Sequence, residues 1–289
     1  MIITIVGPTG VGKSKLSIEL AKKYNAVIIN ADQVQMYKYF NIGTAKTTEK
    51  EMDGIKHFLI DFLEPETEYT IYNFQKEGRK LLDKFIKENK NVVIVGGSGL
   101  YIKALLYDYE LLQEDKNNDL NLEKYTNQEL KSKVDKIYKD NNIHVNNRKR
   151  LIRFLEKYHN TGKVNDKNNN KLLYNCIFIG LYTSREKLYN IINNRVEDMF
   201  KNGLLEEAET LKKHKKSNEI IGYKELNMYF SNKISLEEAK EKIKQNSRRY
   251  AKRQYTWFKN QMDIKWFKVD YENFNNTVLE VEDCIKESE

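Results

Sequence analysis

Eight consecutive residues, Gly7-Pro8-Thr9-Gly10-Val11-Gly12-Lys13-Ser14, have the types and spacing to hold phosphate. They fit the pattern G-x-x-x-x-G-K-[S/T], and they sit where that pattern works. An apolar run, Ile2–Val6, leads in and a helical pattern leads out. The glycines let backbone N–H groups converge on phosphate oxygens, and the helix N-terminus adds partial positive charge. Lys13 supplies a full charge, and the Ser14 hydroxyl can hold Mg²⁺. The loop specifies a di- or triphosphate without saying which compound carries it.

A second candidate lies at the end of the next apolar run. Ala26–Asn30 leads into Ala31-Asp32-Gln33-Val34-Gln35-Met36-Tyr37, which puts Asp32 just past the carboxyl end of a strand. Parallel α/β sheets place their ligands at that edge, beside the phosphate loop. A carboxylate there can take a proton from a substrate nucleophile. Spacing alone also allows it to cap a short helix. An ordinary P-loop ATPase or kinase needs a second strand that ends in an Asp to help hold Mg²⁺. The candidate strand here, Asn91–Val95, ends in Gly96-Gly97-Ser98, and the substitute on offer is Asp61, after the short run His57–Ile60. Nucleotide hydrolysis therefore lacks its second half.

The elements that must position these residues alternate. Short apolar runs at Ile2–Val6, Ala26–Asn30, His57–Ile60 and Asn91–Val95 read as buried parallel strands. Between them, Lys13–Tyr24 and Ile71–Glu88 carry helical spacing. This rhythm predicts an α/β fold, a P-loop NTPase-like parallel sheet with flanking helices. After about Tyr107 the chain turns polar, rich in Asn and Lys, with only helical patterns until Cys176–Tyr182 supplies one more strand. We expect a helical insertion over 112–170, with 1–111 and 171–289 forming the core. From Ser184 the pattern is helical to about Lys259, and the tail beyond carries no readable role.

The 289 residues are 40% hydrophobic and 32% charged, enough to bury a core and remain soluble. A formal net charge of +8 favours a polyanionic partner, although a lysine-rich composition explains it equally well. The two cysteines, Cys176 and Cys284, are too few for a disulfide framework and lack metal-ligand spacing. No apolar run is long enough to span a bilayer, and the chain enters a strand without a basic leader. These features predict a cytoplasmic protein with no membrane partner.

Taken in order, the segments resemble one family, the tRNA dimethylallyltransferases (tRNA isopentenyltransferases). The matches are Gly7 to Ser14, Ala31 to Tyr37, Asn41 to Lys46, His57 to Asp61, Val95 to Tyr101, Asn147 to Glu156, Arg195 to Met199, Gly203 to Glu207, Ile221 to Glu225, and Ala251 to Phe258. The resemblance implies transfer of a dimethylallyl group from dimethylallyl diphosphate to N6 of adenosine 37, beside the tRNA anticodon. The phosphate loop would then grip a leaving diphosphate, so no Walker-type carboxylate is needed. Asp32 is similar to the family's general base, and Arg195 to its arginine over the diphosphate. From spacing alone Arg195 reads as a surface helix arginine. Ser98 stands where the family usually has Thr, with the hydroxyl retained. By the same resemblance Asp32, Gln33, Val34, Gln35 and Ser98 touch tRNA, as do Lys149, Arg150, Leu151, Ile152 and Arg153. Mg²⁺ is the implied cofactor, on Ser14 and the diphosphate, and a monomer is the implied state.

Basic residues cluster twice. Arg148-Lys149-Arg150 and Arg153 crowd the insertion, and Lys240, Lys242, Lys244, Arg248, Arg249, Lys252 and Arg253 crowd a late helix beside Tyr250, Tyr255 and Trp257. Cations interleaved with aromatics suit RNA, where phosphates give affinity and unstacked bases give specificity. A solvated helix face with core aromatics gives the same pattern. Three other readings stay open on the residues. They are a P-loop small-molecule kinase, an adenylate isopentenyltransferase acting on free nucleotide, and a non-enzymatic P-loop RNA-binding module.

Overall fold

The computed structural model describes residues 1–109, 111, 120–162, 164 and 168–288. In chain order the elements are β1 (Ile2–Val6), α1 (Lys13–Lys23), β2 (Ala26–Asn30), α2 (Glu49–Met52), β3 (His57–Phe58), α3 (Ile71–Lys87), β4 (Asn91–Val95) and α4 (Gly99–Leu106). There follow β5 (Tyr107–Tyr109), α5 (Asn127–Ile137), α6 (Arg148–Thr161) and β6 (Asn168–Leu172). The chain continues with β7 (Ile177–Tyr182), α7 (Arg185–Lys201), α8 (Leu204–Leu211), α9 (Tyr223–Phe230), α10 (Leu236–Gln261), β8 (Lys265–Lys268) and α11 (Phe274–Lys286).

Six strands form one sheet in the order β3-β2-β4-β1-β7-β8, and every pairing in it is parallel. The central strands explain their position. All five residues of β1 are buried, as are four of the five in β4, which is the signature of strands covered on both faces. The register pairs Ile5 with Val95 and Asn30 with Val95, so the carboxyl ends of β1, β2 and β4 finish together. That shared edge is where the phosphate loop and Asp32 emerge. The tail assigned no role from sequence supplies β8 and α11. Strand β8 extends the sheet beside β7, pairing Gly180 with Trp266, and Val278, Val281 and Ile285 of α11 join the main core.

The chain divides into two compact units, 1–106 with 173–288, and 107–172. The expected limits, 111/112 and 170/171, are moved by strands β5 and β6, which pair antiparallel within the second unit. The insertion is therefore not helical throughout, and residues 112–119 lie outside the described residues. Its helices follow ordinary capping chemistry. Thr126 and Glu129 form a reciprocal capping box at α5, and the Asn147 side chain accepts from the Arg150 N–H at α6. Leu130, Val134, Leu151 and Leu155 are among the residues packed between them. Leu151 is 0% exposed, so its side chain serves that core and offers no surface to RNA. Arg148 is also committed internally. Its guanidinium donates to the carbonyls of Tyr125 and Glu123 at 2.7 and 2.8 Å and to Asn127 Oδ1 at 3.1 Å. Lys149, Arg150 and Arg153 are exposed, and Ile152 is half-buried against the core.

Candidate active site

The phosphate loop bends because three glycines, Gly7, Gly10 and Gly12, hold backbone angles that other residues resist. Gly7 has φ 144°, and a Cβ there would lie 2.6 Å from the Leu181 carbonyl oxygen of β7. Gly12 has φ 106° and forms the left-handed N-cap of α1. Gly7, Pro8 and Val11 are buried and shape the loop from beneath. Thr9, Gly10, Gly12, Lys13 and Ser14 line a cavity of about 960 Å³. Lys13 Nζ donates to the Pro8 carbonyl at 2.8 Å, which folds its ammonium over the loop. Burial pushes that ammonium down from its ordinary 10.5 to about 8, opposed by the charge of Asp32 and reinforced by Arg195.

Asp32 and Arg195 face the same cavity. Burial raises the Asp32 carboxyl above its ordinary range. Lys13, the Val34 N–H, Arg195 and the Gln35 N–H pull it back toward the ionised form. The Val34 N–H donates to Asp32 Oδ1 at 3.2 Å, so the carboxylate does tie the following turn. Gln33, not Asp32, is the N-cap of that short 3-10 turn, Val34–Met36. Asp32 thus meets two cations while one oxygen is anchored to backbone, and the capping and chemical readings hold together. Asn30 fixes the bend, donating to the Asp32 and Leu59 carbonyls at 3.1 and 2.8 Å. Arg195 Nη1 donates to Thr9 Oγ1 at 3.2 Å. Burial works against its charge while Asp32 and Glu51 favour it. The surface-arginine reading fails because α7 packs this face against the loop.

Ser98 begins the turn into α4, and its Oγ accepts from the Gln33 N–H at 3.1 Å. Ser98 is therefore joined to the Asp32 segment and is not among the residues lining the phosphate cavity. Gln35 does line it, with Nε2 donating to the carbonyls of Thr44 and Ala45, both at 3.2 Å. Val34 is half-buried in the turn. Asp61, weighed as a stand-in metal carboxylate, accepts from Lys46 Nζ at 2.5 Å. The same ammonium donates to the Tyr37 carbonyl at 2.6 Å and to Asn41 Oδ1 at 2.9 Å. Among the described residues no group of three or more His, Cys, Asp or Glu is arranged to hold a metal. The Ser14 hydroxyl lies on the cavity wall beside Lys13.

Gln254, 5% exposed on α10, has a structural part that its sequence context hid. Its Oε1 accepts from the Thr9 N–H at 2.8 Å and its Nε2 donates to the Gly97 carbonyl at 3.0 Å. One amide thereby ties the phosphate loop to the end of β4. Tyr250, one turn earlier, hydrogen-bonds Ser98 and Gln254. Trp257 packs so closely on Gly99 that a Cβ there would lie 2.1 Å from its ring. The signal in the sequence was an amide side chain set directly between Arg253 and Tyr255.

The basic residues of α10 separate into two groups. Lys240 and Lys244 pair with Glu237 and with Glu197 and Glu241, and Arg248 Nη1 donates to Asn193 Oδ1 at 2.5 Å. Arg249, Lys252 and Arg253 instead line a groove of about 610 Å³ with Thr256 and Trp257. Trp257 is thus both packed and on the groove wall.

Comparison with known proteins gives a consistent outcome. The sequence model of the IPP transferase family matches residues 35–261. A tRNA dimethylallyltransferase of Anoxybacillus flavithermus is 44% identical over 279 residues, which is 92% of this chain and 89% of the relative. The full-length tRNA isopentenylpyrophosphate transferase of Bacillus halodurans superposes with a TM-score of 0.76 at 37% identity, covering 99% of this chain and 95% of that one. The corresponding transferase of Staphylococcus epidermidis gives 0.74 at 38% identity, covering 99% of both chains.

Proposed function

The chain belongs to the IPP transferase family, and on that premise we propose how its cavity carries out the family reaction. The enzyme is a prenyltransferase that moves a dimethylallyl group onto N6 of adenosine 37 in tRNA. The tRNA relatives favour this over an adenylate isopentenyltransferase or a small-molecule kinase. The observation that carries the site assignment is one carboxylate, Asp32, facing two cations, Lys13 and Arg195, across a single cavity.

Dimethylallyl diphosphate binds with its phosphates in the loop from Thr9 to Ser14. Lys13, Arg195 and the backbone N–H groups meet the charge that grows as the allylic C–O bond breaks. The adenine amine is a weak nucleophile because its lone pair is delocalised into the ring, so a held acceptor and a close approach matter. As the N6–carbon bond forms, the diphosphate leaves with the C–O electron pair, and the N6 proton passes to Asp32. Burial, which raises the Asp32 carboxyl, makes it a better proton acceptor than a free carboxylate. Mg²⁺, when bound, neutralises diphosphate charge. Of this chain's residues the Ser14 hydroxyl would be its ligand, and a donor set this sparse would suit an ion that keeps several waters. The adenosine must leave its stack to reach Asp32, and we assign tRNA binding to Gln33, Gln35 and Ser98 and to the exposed Lys149, Arg150 and Arg153. We take the working form to be a cytoplasmic monomer. Among the described residues no helix is long and apolar enough to cross a membrane.

The test incubates the protein with Mg²⁺, labelled dimethylallyl diphosphate, and either unmodified tRNA or AMP. Label in tRNA is expected, and label in AMP alone would select the free-nucleotide enzyme. Asp32→Ala should slow transfer by on the order of 100-fold or more while tRNA affinity is retained. Equal loss of both would reduce Asp32 to its turn-tying role.

A further inference from the structure

Residues 41–43 present three consecutive backbone N–H groups to one side chain. Asn41 donates to Glu207 Oε2 at 3.2 Å, Ile42 to Oε1 and Oε2 at 2.9 and 3.0 Å, and Gly43 to Oε1 at 3.2 Å. Successive N–H groups that converge in this way form a nest for an anion. Here the chain fills it with its own carboxylate, from α8. Tyr223 of α9, fully buried, closes the clasp. Its hydroxyl donates to Glu207 Oε1 at 2.5 Å and accepts from the Gly43 N–H at 3.1 Å. Gly43 lies against the Tyr223 ring, where a Cβ would come within 2.5 Å.

The clasped loop continues into the wall of the active-site cavity through Thr44, Ala45 and Lys46. The carbonyls of Thr44 and Ala45 take both hydrogens of the Gln35 Nε2 amide. Carbonyl oxygens only accept, so the amide can take one orientation alone, and its Oε1 is left as a hydrogen-bond acceptor. Gln35 and Asp32 line the same cavity. Two acceptors there match an amino group, which has two hydrogens to give, and oppose a purine oxo group, which has none.

We propose that Glu207 is a positioning residue for the acceptor nucleotide, acting through the 41–45 loop to hold Gln35 Oε1 as the second acceptor beside Asp32. The proposal rests on the prenyl-transfer reading and adds to it a residue that touches neither substrate. Loss of the carboxylate charge, with one acceptor oxygen turned into a donor NH2, sets donor against donor in the nest, loosens the loop, and lets the Gln35 amide turn. The diphosphate loop is held separately, by Gln254 and Arg195, so the donor side is left intact.

The experiment is a double-mutant cycle read by single-turnover transfer to an anticodon stem-loop. Glu207→Gln should lower the transfer rate by on the order of 100-fold. The half-saturating concentration of dimethylallyl diphosphate should stay within about threefold of wild type, because that site keeps its own contacts. Gln35→Ala should give a similar loss, and the double variant should be no slower than Gln35→Ala alone. Tyr223→Phe, which keeps the charge, should retain most of the rate. Additive losses, or a folded Glu207→Gln with wild-type rate, would overturn the proposal. Should Glu207→Gln fail to fold, Gly43→Ala displaces the loop with the charge in place and is read in the same cycle, where additivity again overturns it. Absence of transfer by the wild-type protein would instead sink the prenyltransferase reading itself, and the two failures are distinguishable for that reason.

Discussion

The Lys13 ammonium should make diphosphate binding depend on pH in a range where lysines ordinarily do not titrate. Burial lowers it from 10.5 to about 8, with Arg195 adding to the shift and Asp32 opposing it. The direction follows from the depressed value. The charge is present below pH 8 and lost as pH rises through it, so binding weakens on the alkaline side. About 90% of the side chain is charged at pH 7, about half at pH 8, and about a tenth at pH 9. If the ammonium form alone grips the ligand, Kd weakens about tenfold between pH 7 and pH 9. Binding should also draw in about half a proton at pH 8, because the bound anion restores the charge. Titration calorimetry with inorganic diphosphate and Mg²⁺, in two buffers of different ionisation heat, reads both quantities. Lys13→Arg is the control, since its guanidinium stays charged throughout. The ligand's own titration is common to both proteins and drops out of the comparison. Equal slopes for wild type and Lys13→Arg, or tighter binding at pH 9, would refute the assignment of a desolvated Lys13.

Three further outcomes follow from contacts of α10. Gln254→Leu strands the Thr9 N–H and the Gly97 carbonyl, so it should destabilise the fold by about 2–4 kcal/mol in denaturant titration. An unchanged midpoint would mean that both groups find other partners. Gly99→Ala drives a methyl group to 2.1 Å from the Trp257 ring. It should cost about 1–3 kcal/mol and alter the near-ultraviolet circular dichroism. Replacing Lys252 and Arg253 by Ala together should weaken tRNA binding and flatten its log–log salt dependence by about 1.5. Retention of the wild-type salt slope would place the RNA elsewhere than the Trp257 groove.

Much of the sheet could be read from the chain because its signals are local. A strand covered on both faces must be apolar throughout, and Ile2–Val6 and Asn91–Val95 are. The phosphate loop is local as well, since a strand, a glycine-rich turn and a helix start are consecutive in sequence. Asp32 was visible for the same reason, two residues past a strand end. Strand β8 was not visible because Lys265-Trp266-Phe267-Lys268 is short and edged with lysines, as suits an exposed sheet margin. The resemblance names Lys149 to Arg153 as one stretch, but a helix turns its residues to different faces. Lys149, Arg150 and Arg153 point out, whereas Leu151 points in. Arg148 looked like its basic neighbours, but nothing nearby in sequence reveals three acceptors more than 20 residues away.

Gln254 and Glu207 mark the limit of local reading for a deeper reason. Gln254 meets Thr9 across 245 residues of sequence, and Glu207 meets the 41–43 loop across 164 to 166. Neither contact leaves a spacing pattern, because its partners lie on elements far apart in the chain that only the three-dimensional fold brings together. Both serve the same division of labour. Motif residues at strand ends carry charge, and late helices fix the backbone that carries those residues. A P-loop by itself will bind many phosphates, since its N–H groups and lysine recognise charge alone. Here Gln254 sets the Thr9 end of the loop and Arg195 sits on the Thr9 hydroxyl, while Glu207 holds the wall that orients Gln35. The groups that fix the phosphate loop and the cavity wall thus come from helices α7 to α10, as much as from the loop whose pattern is the easiest to recognise.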